Sequence, residues 1–100
     1  MSGKLKVENV IQELQDAGAS MRCSEMKALL ESLGFTVKDG KRGGHKLYFH
    51  DALDGFYSGS YNCEHGKNPE LKRTYINKVA KVLEKYKSEL IEANNGEPKK

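Results

Sequence analysis

Two glycines stand directly before a histidine in the run Gly43-Gly44-His45-Lys46, and Lys41 and Arg42 precede them. An imidazole exchanges its proton near neutrality, with an unperturbed pKa of ~6.5, so it can act as base or acid at cellular pH. Cations beside it attract phosphate. Residues of these types suit proton transfer on a nucleic acid backbone. A base removes the 2′-hydroxyl proton of RNA, the oxygen attacks the neighbouring phosphorus, and a donor protonates the departing 5′-oxygen. General acid–base help of this kind is worth ~10²–10⁴ in rate, and positive groups beside the phosphorane add electrostatic stabilisation. His45 is the candidate for proton transfer, Lys46 or Arg42 for charge compensation, and Lys41 for holding neighbouring phosphates. DNA lacks the 2′-hydroxyl and would resist the reaction. The competing reading is structural: a hairpin whose histidine ends a strand.

The other reactive side chains divide less sharply. His50 is expected to close a strand. His65 precedes a helix start, where an RNA contact and a structural role stand equally open. His45, His50, Cys63 and His65 are zinc-ligand types, yet His45-x₄-His50 and Cys63-x-His65 are not an established pair of zinc spacings. No metal or other cofactor is therefore expected. Neither Cys23 nor Cys63 lies in a CxxC motif, and two cysteines make no disulfide framework. They are expected to stay thiols in a reducing compartment. Tyr48, Tyr57 and Tyr61 could stack on bases or pack across strands.

Positioning these residues requires a small set of elements. Leu5, Val7, Val10, Ile11 and Leu14 recur at helical spacing and predict an amphipathic helix over 5–17, stopped by Gly18, either appended to the domain or dependent on a partner. Ser24 is the expected N-cap of a second helix whose stripe is Met26, Leu29, Leu30 and Leu33, with Gly34 as its positive-φ terminator. Residues 35–38, 45–50 and 56–63 read as three strands joined by short turns, with Asp54-Gly55 as turn chemistry and Gly59 as a twist or bulge. Along the middle strand, alternation puts His45, Leu47 and Phe49 on one face and Lys46, Tyr48 and His50 on the other. If Leu47 and Phe49 are core, His45 points to the core side and is reachable only at the rim. Asn68-Pro69-Glu70 predicts the start of a last helix running to about Leu90, with Leu71, Tyr75, Ile76, Val79, Val82, Leu83 and Tyr86 buried. Residues 92–100 read as a disordered tail.

The order is thus a helix, then α-β-β-β-α, then a tail: an α+β sandwich with helices on one face of a three-stranded antiparallel sheet. With 100 residues, one domain with a modest core is the expectation. No apolar run approaches the ~20 residues of a membrane span and no signal-peptide core is present, so a cytoplasmic protein is expected. The net charge of +3 is small, but its distribution is uneven. Lys38, Lys41, Arg42 and Lys46 stand against Asp39 alone. Between residues 67 and 87, Lys72, Arg73, Lys78, Lys81 and three further lysines stand against two glutamates. Such a surface draws polyanions, and Lys72, Arg73 and Lys78 join Lys41 and Arg42 as candidate phosphate contacts.

The run Met21-Arg22-Cys23-Ser24-Glu25-Met26 through Leu33-Gly34-Phe35 resembles the opening of HicA (YcfA-like) toxins. Gly43-Gly44-His45-Lys46-Leu47-Tyr48-Phe49-His50 resembles the strand of that family that carries the catalytic histidine. Asn62-Cys63-Glu64-His65, followed by Leu71-Lys72 and the closing helix, resembles its Pro-x-His turn and basic helix. The resemblance covers about residues 21–86. It implies a double-stranded-RNA-binding-domain-like fold, cleavage of mRNA without a metal, and a HicB-like antitoxin that covers the active site. It implies that His45 is catalytic. Residues 21–91 would form the RNA-binding and nuclease domain and 1–20 a helical extension, the free toxin being taken as a monomer. Gly44 stands where many members have serine, and Cys63 in a turn where proline is common.

Overall fold

The computed structural model describes residues 3–17, 21–41, 43–63 and 69–94. Over these the chain forms α1 (Gly3–Ala17), α2 (Cys23–Ser32), β1 (Thr36–Asp39), β2 (His45–Phe49), β3 (Gly59–Asn62), α3 (Arg73–Lys85) and α4 (Lys87–Ala93). The strands make an antiparallel meander in the order β1-β2-β3, so the architecture is α+β as expected. No helix among the described residues is long and apolar enough to cross a membrane. The predicted cap Asn68 and tail residues 95–100 lie outside the described residues.

The stripe at 7, 10, 11 and 14 is fully used. Val7, Val10, Ile11 and Leu14 are buried as α1 packs along α3 and α4. A Cβ on Gly3 would sit 2.5 Å from the Ile91 carbonyl oxygen, so the first turn of α1 lies directly on the α4 backbone. Lys87 pairs with Glu8 at 3.2 Å, and Gln15 donates to Glu84 at 3.1 Å. Of the two roles open for this helix, it takes the appended one and closes the core from within the chain.

The starts of the second and last helices shift from their expected places in opposite directions, α2 earlier and α3 later. Residues 21–23 run extended beside residues 69–71: Leu71 N–H donates to the Met21 carbonyl (2.8 Å), Cys23 N–H to the Pro69 carbonyl (2.9 Å), and Arg22 and Glu70 form a bridge. Backbone groups committed to that pairing cannot also serve helix turns. The helix α2 nonetheless begins earlier than expected, capped at Arg22, whose N–H donates to Glu25 Oε1 at 2.8 Å, rather than at Ser24. The helix α3 waits until Arg73, with Lys72 as N-cap. The single helix expected to reach Leu90 is divided at Tyr86 (φ −103°, ψ 23°), after which α4 begins. The same pairing sets the first residue of α2 against the end of β3. A disulfide there joins Cys23 to Cys63, with Cα atoms 5.9 Å apart, inside the usual range of ~4.4–6.8 Å. The expectation of two free thiols fails at this contact. On the chain-entropy model, closing a separation of 40 residues contributes on the order of 4 kcal/mol.

Gly34 terminates α2 with φ +97°, as predicted, and the Leu33 carbonyl just before it accepts from two directions: His50 Nε2 at 2.9 Å and Asn94 Nδ2 at 3.0 Å. His50 also accepts from Ala52 N–H and meets the Phe35 ring edge-on, so it is a structural histidine. Gly55 supplies the positive φ of the β2–β3 turn.

The strands contribute two fully buried side chains, Tyr48 and Tyr61, each 1% exposed. The Tyr48 ring lies over Gly59, its partner across the strand pair; a Cβ on Gly59 would sit 2.3 Å from Tyr48 Cζ. Phe35, Phe56 and Tyr61 surround the ring at centroid distances of 5.5, 6.0 and 6.2 Å. Neither tyrosine can stack on a base, whereas Tyr57 is 93% exposed. Burial pushes both hydroxyls up to about 12, with the nearby Glu31 carboxylate adding to the effect at Tyr61. An unfolded tyrosine ionises near ~10. The raised folded values therefore contribute stability that is complete below pH ~10 and is lost as pH rises toward 12. Alkaline titration followed by ultraviolet absorbance should show two of the five tyrosines ionising only near pH 12, together with loss of the near-ultraviolet circular dichroism. Ionisation of all five near pH 10 with the fold intact would contradict the buried placement.

Candidate functional site

Packing of Tyr48 decides where His45 faces. Lys46, Tyr48 and His50 alternate toward the helices, so His45, Leu47 and Phe49 lie on the open face of the sheet and are each only half-buried. The expectation that Leu47 and Phe49 are core, with His45 on their side facing inward, is reversed. His45 shares the open face with Asn62, its direct partner on β3, and with Leu47, Lys38 and Ser60.

The register explains why His45 and Asn62 meet. Cys63 N–H donates to the Gly44 carbonyl at 2.6 Å, and on the other side Gly40 N–H donates to the His45 carbonyl at 2.7 Å. His45 and Asn62 therefore form a non-hydrogen-bonded pair of the β2–β3 ladder, the type in which Cα atoms approach to about 4.5 Å and side chains are closest. The His45 Nδ1 to Asn62 Oδ1 distance is 2.9 Å. Asn62 Nδ2 donates in turn to the Tyr75 hydroxyl at 3.3 Å, linking β3 to the first turn of α3. Opposite Asn62, the ring rests on Gly40: a Cβ there would sit 2.4 Å from His45 Cδ2. Nε2 makes no hydrogen bond among the described residues.

Around the ring lies a concavity of about 590 Å³, lined by Gly40, Lys41, Gly43, His45, Leu47 and Asn62. It offers an imidazole, one lysine, one amide, bare backbone at two glycines and an apolar floor at Leu47. Such a lining can hold a phosphate-bearing group and exchange a proton with it.

Lys46 is not part of this lining. Its ammonium donates to Asp39 Oδ1 on the helix-covered side, and that hydrogen bond and charge hold the Asp39 carboxyl below its ordinary range. Sequence adjacency to His45 puts Lys46 on the opposite face, so the paired assignment of His45 and Lys46 separates. Lys41 is the cation at the concavity. Arg42 and His65 lie outside the described residues. Lys72 and Arg73 are exposed at the start of α3, two to three residues from Tyr75, and Lys78 is exposed one turn further on. Among the described residues the zinc-ligand types do not assemble: His45 faces the open side of β2, His50 just past its end faces the other, and Cys63 is bonded to Cys23. No cluster of three or more His, Cys, Asp or Glu that could hold a metal occurs among the described residues.

Sequence reasoning missed Asn62, Tyr75 and Gly40. The usable signal was register, since a polar β3 residue opposite His45 must share its face. Tyr75 was counted only as a buried-stripe residue, although its hydroxyl reaches Asn62.

Gly44 has φ +85°, and a Cβ on it would sit 2.2 Å from the Cys63 carbonyl oxygen. Serine does not fit at this position without moving the end of β3. Gly44→Ser should therefore destabilise the protein by roughly 1–3 kcal/mol. Gly43→Ser, with no atom within 4 Å of its Cβ position, should stay within about 0.5 kcal/mol of wild type. Urea unfolding of the two variants side by side checks the contrast.

Compared with protein-family models, with curated proteins and with solved structures, the chain has no match.

Proposed function

We propose that this chain is an endoribonuclease of the HicA toxin type, acting on mRNA in the cytoplasm without a metal and neutralised by a HicB-like partner. On this reading the α-β-β-β-α core is double-stranded-RNA-binding-domain-like. The observation that carries the reading is His45 on the open sheet face, at a concavity that also presents Lys41. The His45 imidazole takes the 2′-hydroxyl proton, O2′ bonds to phosphorus, and the P–O5′ bond breaks. The products are a 2′,3′-cyclic phosphate and a 5′-hydroxyl, whose proton comes from the water that reaches this open face. Lys41 offsets charge on the phosphorane, and Lys72, Arg73 and Lys78 hold the flanking backbone. Lys46 takes no part in this version of the mechanism.

One feature of the same face favours a second reading, an RNA-binding module without chemistry. Lys38 Nζ lies 5.8 Å from the centroid of the half-buried Phe49 ring, a cation and an aromatic surface of the kind that grips single strands.

Expression in growing cells separates the two. Growth arrest by the wild type and none by His45→Ala supports the nuclease, while identical behaviour of both favours the binding module. With purified protein, His45→Ala should slow RNA cleavage by ~10²–10⁴. A substrate with a single 2′-deoxy residue at the scissile position should not be cut; cleavage at the all-ribose rate would end the proposed mechanism.

A further inference from the structure

An amide oxygen accepts hydrogen bonds and never donates them, so the nitrogen that faces Asn62 Oδ1 must carry the ring proton whenever the His45 imidazole is neutral. That nitrogen is Nδ1. A free histidine side chain prefers the other neutral form, with the proton on Nε2, so the contact acts against the intrinsic preference. It leaves the lone pair on Nε2, the nitrogen with no partner among the described residues.

The orientation of the amide is what gives this arrangement its sense. Turned over, Asn62 would offer Nδ2–H to Nδ1, the ring would carry its proton on Nε2, and the group presented outward would be an acid instead of a base. As placed, Oδ1 faces His45 Nδ1 at 2.9 Å and Nδ2 donates to the Tyr75 hydroxyl at 3.3 Å, a contact that holds the amide in place, although a phenol can accept or donate and so does not by itself set the amide's sense. Gly40 against the ring edge limits rotation from the other side. We infer that Asn62, held in place by Tyr75, is a positioning residue that through Oδ1 fixes His45 in the Nδ1–H tautomer and makes Nε2 the proton-accepting nitrogen. His45, Asn62 and Tyr75 come from β2, β3 and α3, so the relay also ties the chemistry of the sheet face to the docking of α3. Its catalytic consequence rests on the nuclease reading above; the tautomer itself does not.

The test uses uniformly ¹⁵N-labelled full-length protein and long-range proton–nitrogen correlation of the histidine rings, recorded across a pH titration. In the wild type the neutral His45 ring should show a protonated Nδ1 and an unprotonated Nε2. Asn62→Ala should return it to the Nε2–H form. Asn62→Asp should keep the Nδ1–H form and raise the His45 pKa by about one unit or more, because a carboxylate favours the imidazolium. Tyr75→Phe should give a mixture of the two forms. Backbone amide spectra of each variant identify any that fail to fold; Asn62 is exposed on an edge strand, and Asn62→Asp preserves its shape. A wild-type ring in the Nε2–H form, or an unchanged tautomer in folded Asn62→Ala, would overturn the inference.

RNA cleavage forms the second arm. Asn62→Ala should lower the rate by ~10-fold or more, the scale on which loss of a histidine's orienting partner acts. The pH profile of Asn62→Asp should shift to higher pH in step with its imidazole. Full-rate cleavage by Asn62→Ala with the tautomer lost would also overturn the positioning role. Wild-type protein that cuts no RNA but shows the Nδ1–H form would end the nuclease reading and leave the tautomer assignment intact.

Discussion

The ring of Tyr48 lying on Gly59 is the contact on which the rest of the structure depends. A strand residue can point only to one face or the other, so burying one side chain fixes all its neighbours. Gly59 has no side chain, and the phenol fills the space a Cβ would take, a cross-strand arrangement known to rescue glycine in sheets. Phe35, Phe56 and Tyr61 then close around the ring. With Tyr48 inward, His45 is outward. A shift of one residue in register would turn His45 toward the helices and bring Lys46 and Tyr48 to the open face in its place.

A second constraint holds the ends of that sheet. Residues 21–23 and 69–71 pair as short extended segments, and Cys23 is bonded to Cys63 immediately after Asn62. Cys63 in turn donates to the Gly44 carbonyl, one residue before His45. The first turn of α2 is thereby connected to the turn that presents the histidine through two contacts. In a reducing cytoplasm the disulfide would open, and the backbone pairing together with the packing of Leu71 and Met21 would have to hold the same geometry.

Much of this was legible in the residues. Gly34 as a positive-φ terminator, Asp54-Gly55 as a turn, the meander and the apolar stripe of α1 follow from local chemistry and appear, except that Leu5 of that stripe is exposed. What failed was tertiary. In Leu47-Tyr48-Phe49 both faces of the strand are apolar, so alternation defines two faces without saying which is core; Gly59 opposite Tyr48 supplies the answer, and that requires register. Asn68-Pro69-Glu70 is a well-formed local helix start, yet the pairing with residues 21–23 claims the backbone just beyond it. At the break, the Tyr86 ring meets Phe56 at 5.3 Å, a contact across some thirty residues of chain that no local pattern announces.

Lys46 and His45 stand on opposite faces of β2. Adjacent residues on a strand cannot cooperate in one site, whereas residues opposite each other can. The functional neighbours of His45 are therefore Asn62 and Gly40, reached through the ladder, and Lys41, reached through the turn. Lys46 instead spends its charge on Asp39 at the covered side. Among the described residues, the cation lining the concavity is the exposed Lys41. Charges of that kind act through solvent, over a screening length of roughly 8–10 Å at physiological salt. On the proposed reading, attraction of RNA to this face would be set by ionic strength, while the geometry at His45, built from short contacts between neighbouring strands, would not.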